Sequence, residues 1–251
     1  DTSRDLNINL FIARINENYS SGKGGGGKAP KINIGEILID NSLFSYADPK
    51  RDSVKTGFDF SHFSVDLKEI QAQNFKVRGD TIAFNLQSLH GVEQKSQFEI
   101  KQLQTYFRLS RTSMEFLDLH AKAGKSIIAD TIIFKYQKQT DLNDFVNKVN
   151  ITAFLKGTVL HPADLALFAP GIEVLKEPLY LGGKLTGRLK RFSYQNMRVG
   201  IGKTVLAGSL LMDGLPAINE TFINLSLKEA HIDIRDLQFL FPAAIYEQLK
   251  P

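Results

Sequence analysis

Between Phe98 and Leu155 four short apolar-rich runs follow one another: FEIKQLQTYFRL, MEFLDLHA, SIIADTIIFKY and VNITAFL. Breaks at Ser110-Arg111-Thr112, Gly124-Lys125 and Asn143-Asp144 separate them. In the third run Ile128, Ile132, Phe134 and Tyr136 share one parity, and in the fourth Val149, Ile151, Ala153 and Leu155 do. A period of two places such side chains on one face of a pleated strand. A sheet with one wide apolar face must cover that face, either with more protein or with a ligand. The core of a closed sandwich and the lining of an open groove both satisfy the pattern.

The remaining chain continues in the same manner. Leu6, Ile8, Leu10 and Ile12 alternate, which predicts a strand over Asp5 to Ile15. Ser20 to Pro30 is rich in glycine, has nothing to bury, and reads as a flexible loop within residues 20–31. Ile32 to Tyr46 predicts two strand segments joined at Asp40-Asn41, and Asp48 to Thr56 a polar turn. Phe58, Phe60, Phe63, Val65 and Leu67 alternate with a slip at Ser61-His62, which suggests a bulge. Phe75 and Val77, then Ile82, Phe84 and Leu86, flank a Gly79-Asp80 turn. Leu185 to Leu189 and Val199 to Leu211 extend the strand pattern with many glycines. Most breaks between runs are two to five residues, so sequence neighbours are expected to pair antiparallel in a long meander.

Few helices are expected. Thr140 is placed to cap a short helix reaching Val149. Asp164 to Pro170 and Asp236 to Pro242 share an Asp-Leu start and a closing proline, and both read as short apolar helices capped by the aspartate.

Bulk composition narrows the classes of function. With 43% hydrophobic and 23% charged residues the chain is not disordered, and its formal charge of +4 lacks the dense basic stripe of a nucleic-acid binder. It contains 18 Phe, no Trp and no Cys, so the core is greasy and there is no thiolate chemistry. No run approaches the ~20 apolar residues of a membrane-spanning helix. The start at Asp1, without an initiator Met or a signal peptide, suits one elongated β segment, residues 1–251, of a longer or processed protein.

Chemical motifs are weak. Gly22 to Lys28 approaches a phosphate-binding loop, but Ala29 stands where a hydroxyl is needed and a strand-like segment follows. Gly202-Lys203-Thr204 lacks the earlier glycine, since Met197 occupies that place. The five histidines, His62, His90, His120, His161 and His231, show no metal-ligand spacing, so no metal site or cofactor is expected. No paired carboxylates, serine elbow or thiol nucleophile indicates an enzyme. Arg188, Lys190, Arg191, Arg198 and Lys203 form a basic cluster that reads as a solvated outer face or as a contact for anionic head groups.

In the order of its segments the chain resembles the AsmA-like envelope proteins, most closely their translocation and assembly module (TamB) branch. The matching residues are Ile32 to Ile37, Asn41 to Asp48, Ser126 to Asp130, Tyr136, Asp144 to Asn147, Gly157-Thr158-Val159 to Leu165, Leu185-Thr186-Gly187 and Asp236 to Pro242. The likeness covers nearly the whole chain and carries no catalytic signature. It implies a mainly β fold: a long curled antiparallel sheet, taco-like in section, whose apolar groove stays open, with a few short helices. It also implies a periplasmic protein of a Gram-negative envelope, anchored in the inner membrane and joined to an outer-membrane barrel protein of the Omp85 type. The function it implies is carriage of phospholipid between the membranes. The alternative is a chaperone-like or structural role in barrel assembly, through pairing at a sheet edge.

Phe84, Phe116, Ile132, Phe134 and Ile151 are the expected groove-lining residues, with Phe116 and Leu117 competing for the inward face of their run. About fourteen strands at ~4.8 Å would give a groove on the order of 65 Å long. In a groove, a charge at Phe134 leaves the fold intact and blocks an acyl chain, while the neighbouring Lys135 faces away.

Overall fold

The computed structural model describes residues 31–49, 51–168, 175–215, 217 and 220–236. The strand expected over Asp5 to Ile15, the glycine-rich stretch before Lys31 and the terminal Glu247 to Pro251 lie outside the described residues. Among the described residues eleven strands form one sheet: β1 (Lys31–Ala47), β2 (His62–Arg78), β3 (Thr81–Glu93), β4 (Glu99–Leu109), β5 (Ser113–Ala123), β6 (Ser126–Lys135), β7 (Asn150–Leu160), β8 (Leu179–Arg188), β9 (Arg191–Ile201), β10 (Thr204–Asp213) and β11 (Phe222–His231). Each strand pairs antiparallel with its sequence neighbours, and the spatial order is the chain order. β1 does not pair with β11, so the protein is mainly β, an open curled sheet. The eleven described strands at ~4.8 Å span on the order of 50 Å.

A line of backbone irregularities crosses the middle of the sheet. Registers shift between Phe116 and Leu119, between Ile127 and Asp130, between Leu155 and Thr158, and between Gly182 and Lys184. Asp118, Asp130, Gly157, Gly183 and Asn196 all take positive φ along this line. Each extra residue bends its strand and increases its twist. Aligned over neighbouring strands, these bends make a keel, and the strand ends with their connections form two rims.

Several local expectations are corrected. Ile32 to Tyr46 is one continuous strand, because Asn41 absorbs the kink at φ 47° while Ile39↔Ile70 and Ser42↔Leu67 hold one register on both sides. The slip at Ser61-His62 is not a bulge. Phe58 and Phe60 stay outside β2, in an entry loop folded around the buried Asp59. Val199 to Leu211 is split by a Gly202-Lys203 hairpin turn into β9 and β10, so Gly202-Lys203-Thr204 is a turn and not strand interior. Lys31, counted with the glycine-rich loop, begins β1.

The β6–β7 connection is a 3-10 turn, Gln139–Asp144, followed by α1 (Phe145–Lys148). Thr140 does not cap it. The carboxylate of Asp141 accepts from the backbone N–H groups of Gln137 and Lys138 instead, both at 3.1 Å. After β7 comes α2 (Pro162–Leu165), with Pro162 in its first turn. Asp164 lies inside this turn and binds a different element, described below. The segment that begins at Asp236 continues outside the described residues.

Candidate functional site

Strand register shows what the sheet places on each face, since directly opposed residues of an antiparallel pair project to the same side. Beginning at Ile32 and moving one strand at a time, the partners are Val77, Ile82, Leu109, Met114, Phe134, Ile151, Gly187, Phe192, Met212 and Ile223. That row crosses all eleven strands with ten apolar side chains and one glycine. A second row on the same face runs Phe84, Phe107, Phe116, Ile132, Ala153, Leu185, Tyr194, Leu210 and Leu225. The row between them, on the opposite face, is Asn33, Lys76, Ala83, Arg108, Glu115, Ile133, Thr152, Thr186, Ser193, Leu211 and Asn224. Along these rows one face is apolar and the other mixed and polar, with an Arg108–Glu115 ion pair at 3.3 Å. The exposed ring of Phe154 on that outer face lies under the Lys184 ammonium, 5.1 Å from its centroid.

All five residues singled out from the sequence lie on the apolar face, at neighbouring positions in the two rows. Phe84, Phe116, Ile132, Phe134 and Ile151 are each half-buried. Phe116 pairs with Phe107 and Ile132, so it and not Leu117 occupies the inner parity of β5. Aromatic contacts link the strands: Phe75–Phe84 at 5.9 Å, Phe84–Phe107 and Phe107–Phe116 at 5.1 Å, Phe116–Phe134 at 6.3 Å. Phe134 carries an additional cover, the ring of Phe145 from α1 at 5.3 Å. Phe107, Met114, Phe192 and Met212 belong to the same rows and were missed. In β9 and β10 the glycines blur the alternation, and only the strand register reveals the face.

Burial is uneven along the rows. Val77 and Ile82 are 1% and 3% exposed and form a small closed core with Ile32, Phe75 and Phe84. At the other end Ile223 and Leu225 are 52% and 46% exposed. Between these ends the Phe145 ring lies over Phe134, and Leu109, Ala153 and Tyr194 are buried, while Met114, Phe116, Ile132 and Ile151 stay half-buried.

The rim formed by the β1–β2, β3–β4, β5–β6, β7–β8 and β9–β10 connections is organised by carboxylates. Asp59 accepts from the Ser53 hydroxyl (2.7 Å) and the N–H groups of Val54 (2.9 Å), Ser61 and His62 (both 3.0 Å). Led by the Ser53 bond, these contacts outweigh desolvation and hold its pKa well below the usual carboxylate range. Burial alone would raise the pKa of Glu93, but bonds from the Ser96 hydroxyl and N–H (both 2.6 Å) and from Lys95 and Ser64 N–H lower it on balance. Depressed folded-state values mean that both carboxylates stabilise the rim above the ordinary carboxylate range. That stability is lost as pH falls through this range toward the folded pKa. Melting temperature should therefore drop on acidification from pH 6 to pH 3, about the span of these groups. Asp59→Asn should flatten the drop while lowering the plateau, and an unchanged profile would remove Asp59 from this role.

Two aspartates act as latches at the same rim. Asp164 accepts from Lys125 N–H (2.8 Å) and the Ser126 hydroxyl (2.6 Å) at the β5–β6 turn, and His161 N–H donates to Ser126 Oγ (2.8 Å). Asp236 accepts from Lys203 and Thr204 N–H (2.7 and 2.8 Å) at the β9–β10 turn, and Asp233 N–H donates to Thr204 Oγ1 (3.0 Å). The two arrangements correspond residue for residue. Asp164 does not cap its own helix, and each aspartate clamps the hairpin two strands back. Gly202-Lys203-Thr204 thus holds an anion after all, an internal carboxylate. Gly124 (φ +56) and Gly202 (φ +54) each lie where a Cβ would collide with the latching carboxylate. Removing Asp164 with alanine should cost about 2 kcal/mol, the range for hydrogen bonds to a charged acceptor. Gly124→Ala should cost at least as much, measured by denaturant unfolding.

The basic cluster divides. Arg188 and Arg191 face each other beside the β8–β9 turn, and Lys203 lies at the opposite rim. Arg191 pairs with Asp213 and Arg198 with Glu229, each at 3.4 Å. Among the described residues no group of three or more His, Asp or Glu side chains is arranged to hold a metal ion.

No family model matches the chain, and neither a curated protein nor a solved structure matches it.

Proposed function

We propose that this chain is a lipid-carrying segment of an AsmA-like envelope protein of the translocation and assembly module branch. One observation carries the reading: a row of apolar side chains crosses all eleven strands without a polar interruption. A closed core needs apolar contacts but has no use for a continuous track. An acyl chain does, because each CH₂ shielded from water is worth about 0.8 kcal/mol wherever along the track it lies. Transfer then needs no covalent chemistry, cofactor or metal, only a slide along the accessible part of the track. In this reading the whole protein is anchored in the inner membrane, crosses the periplasm and meets an outer-membrane barrel of the Omp85 type, with phospholipid as cargo.

The test is extraction of the purified protein followed by mass spectrometry. Phospholipid should accompany it in near-stoichiometric amount and be displaced by detergent. Protein that never retains lipid, whether from cells or after incubation with vesicles, would overturn the proposal.

The second reading, barrel-strand chaperoning at a sheet edge, draws on β11. Every residue of that strand is exposed, and β10 is its sole partner among the described residues. It requires contact along the backbone of an edge, whereas lipid carriage requires the inner rows.

A further inference from the structure

We infer that the inner face holds a discrete site for one acyl chain beneath the β7–β8 connection, and that Phe168 fills this site from within the chain while Asp164 keeps it there. The inference rests on the lipid reading above and adds a gate to it. After β7, the connection runs back across its rim. Asp164 clamps the β5–β6 turn, Phe168 meets Phe98 just before β4, and Leu167 O accepts from Phe58 N–H (2.7 Å) in the β1–β2 loop.

Phe168 lies 5.3 Å from Phe58, 6.1 Å from Phe60 and, edge-on, 5.4 Å from Phe98. Phe63 closes the group at 5.7 Å from Phe58. Phe63 and Phe98 lie on the side of Ala123 and the buried Ala121, since Ile100, two residues after Phe98, pairs with Ala123. Val65, two residues after Phe63, pairs with Glu93, and Glu93 N–H donates to Phe98 O (2.9 Å), so alternation places all of them on one side.

Three features mark this as an occupied site and not as ordinary core. Phe168 and Phe60 remain 42% and 66% exposed, so the ring that fills the cluster is itself accessible to a competitor. Among the described residues the Phe168 ring meets the rings of Phe58, Phe60 and Phe98, contacts a hydrocarbon chain can replace without leaving a polar group unsatisfied. The segment that carries the ring is fixed outside the cluster by the Asp164 clamp, which one substitution removes, and beside the ring by the Phe58 N–H bond to Leu167 O. Asp59, between Phe58 and Phe60, holds the receiving side of the site rigid through its four hydrogen bonds. The second latch, Asp236, has the same chemistry at a different turn and serves as an internal control.

The chain contains no Trp, so a single introduced indole reports on its own position. Phe98→Trp reports on the gated site and Phe116→Trp on the open row. The probe is dibromostearoyl phosphatidylcholine in mixed micelles, whose bromines quench an indole they touch. Quenching of the Phe98→Trp reporter should be weak with Asp164 intact and rise several-fold in the Asp164→Ala background. The Phe116→Trp reporter should be strongly quenched in both, and Asp236→Ala should move neither. If the Phe116→Trp reporter is quenched while the Phe98→Trp reporter ignores Asp164→Ala, the gate is overturned and lipid carriage stands. If neither is quenched, lipid carriage itself falls. Should Asp164→Ala lose its β-sheet circular dichroism, Phe168→Ala empties the site directly; it too must raise quenching of the Phe98→Trp reporter, and no rise would overturn the proposal.

Discussion

Phe116→Glu should leave the protein folded and strip it of phospholipid. The residue is in the middle of the second inner row, half-buried, between Phe107 and Ile132. If that face were the inside of a closed sandwich, the carboxylate would be entombed without a partner. Several kcal/mol would then be lost, enough to unfold an ordinary domain. On an open trough it stays reachable by water, and the cost is the lost ring contacts with Phe107 and Phe134, about 1 kcal/mol each. Under the lipid-carrying proposal, the same charge would stand across the track of an acyl chain at β5. A folded variant by circular dichroism with no extractable phospholipid is the expected pair of results. Phe134 is a less clean position for this experiment, because the Phe145 ring covers it and a charge there also disturbs α1.

Val77→Asp should do the opposite and unfold the β1–β3 end. Val77 belongs to the first inner row, as Phe134 and Ile151 do, but it is 1% exposed and packed with Ile82, Ile32, Phe75 and Phe84. An unpaired carboxylate there has neither water nor a hydrogen-bond donor. The expected loss is several kcal/mol, read as a large fall in denaturant midpoint or as insoluble protein. The contrast between Val77→Asp and Phe116→Glu separates the part of the apolar face that serves as core from the part that serves as lining. Equal tolerance at both positions would mean that the β2–β3 core is not a folding unit, and equal intolerance would mean that the face is closed throughout.

Much of this architecture is legible in the amino-acid sequence because period two survives in the central strands. Ile132, Phe134 and Ile151 carry their face openly in the alternation, and short breaks such as Gly79-Asp80 fix antiparallel neighbours. Alternation fails where the backbone departs from the pleat. At Asp118 and Asp130 positive φ lets one residue drop out of the count, so parity on one side of the keel says nothing about the other. The latches were visible as a repeated Asp-Leu segment, yet local rules assign such an aspartate to its own helix. Asp164 and Asp236 instead reach turns 38 and 32 residues earlier, at Ser126 and Thr204. The aromatic group around Phe168 has no sequence signal, since Phe58, Phe98 and Phe168 come from three separate connections.

Ile132 and Ile133 offer the most direct test of the central claim. They are adjacent on β6, alike in side chain and alike half-buried, but Ile132 faces Phe116 and Ala153 while Ile133 faces Glu115 and Thr152. A photoreactive phenylalanine analogue placed at each in turn, and irradiated in cells, compares the two faces at a single level of a single strand. The account predicts a phospholipid adduct in large excess from position 132 over position 133. Equal capture at both, or capture from position 133 alone, would contradict it.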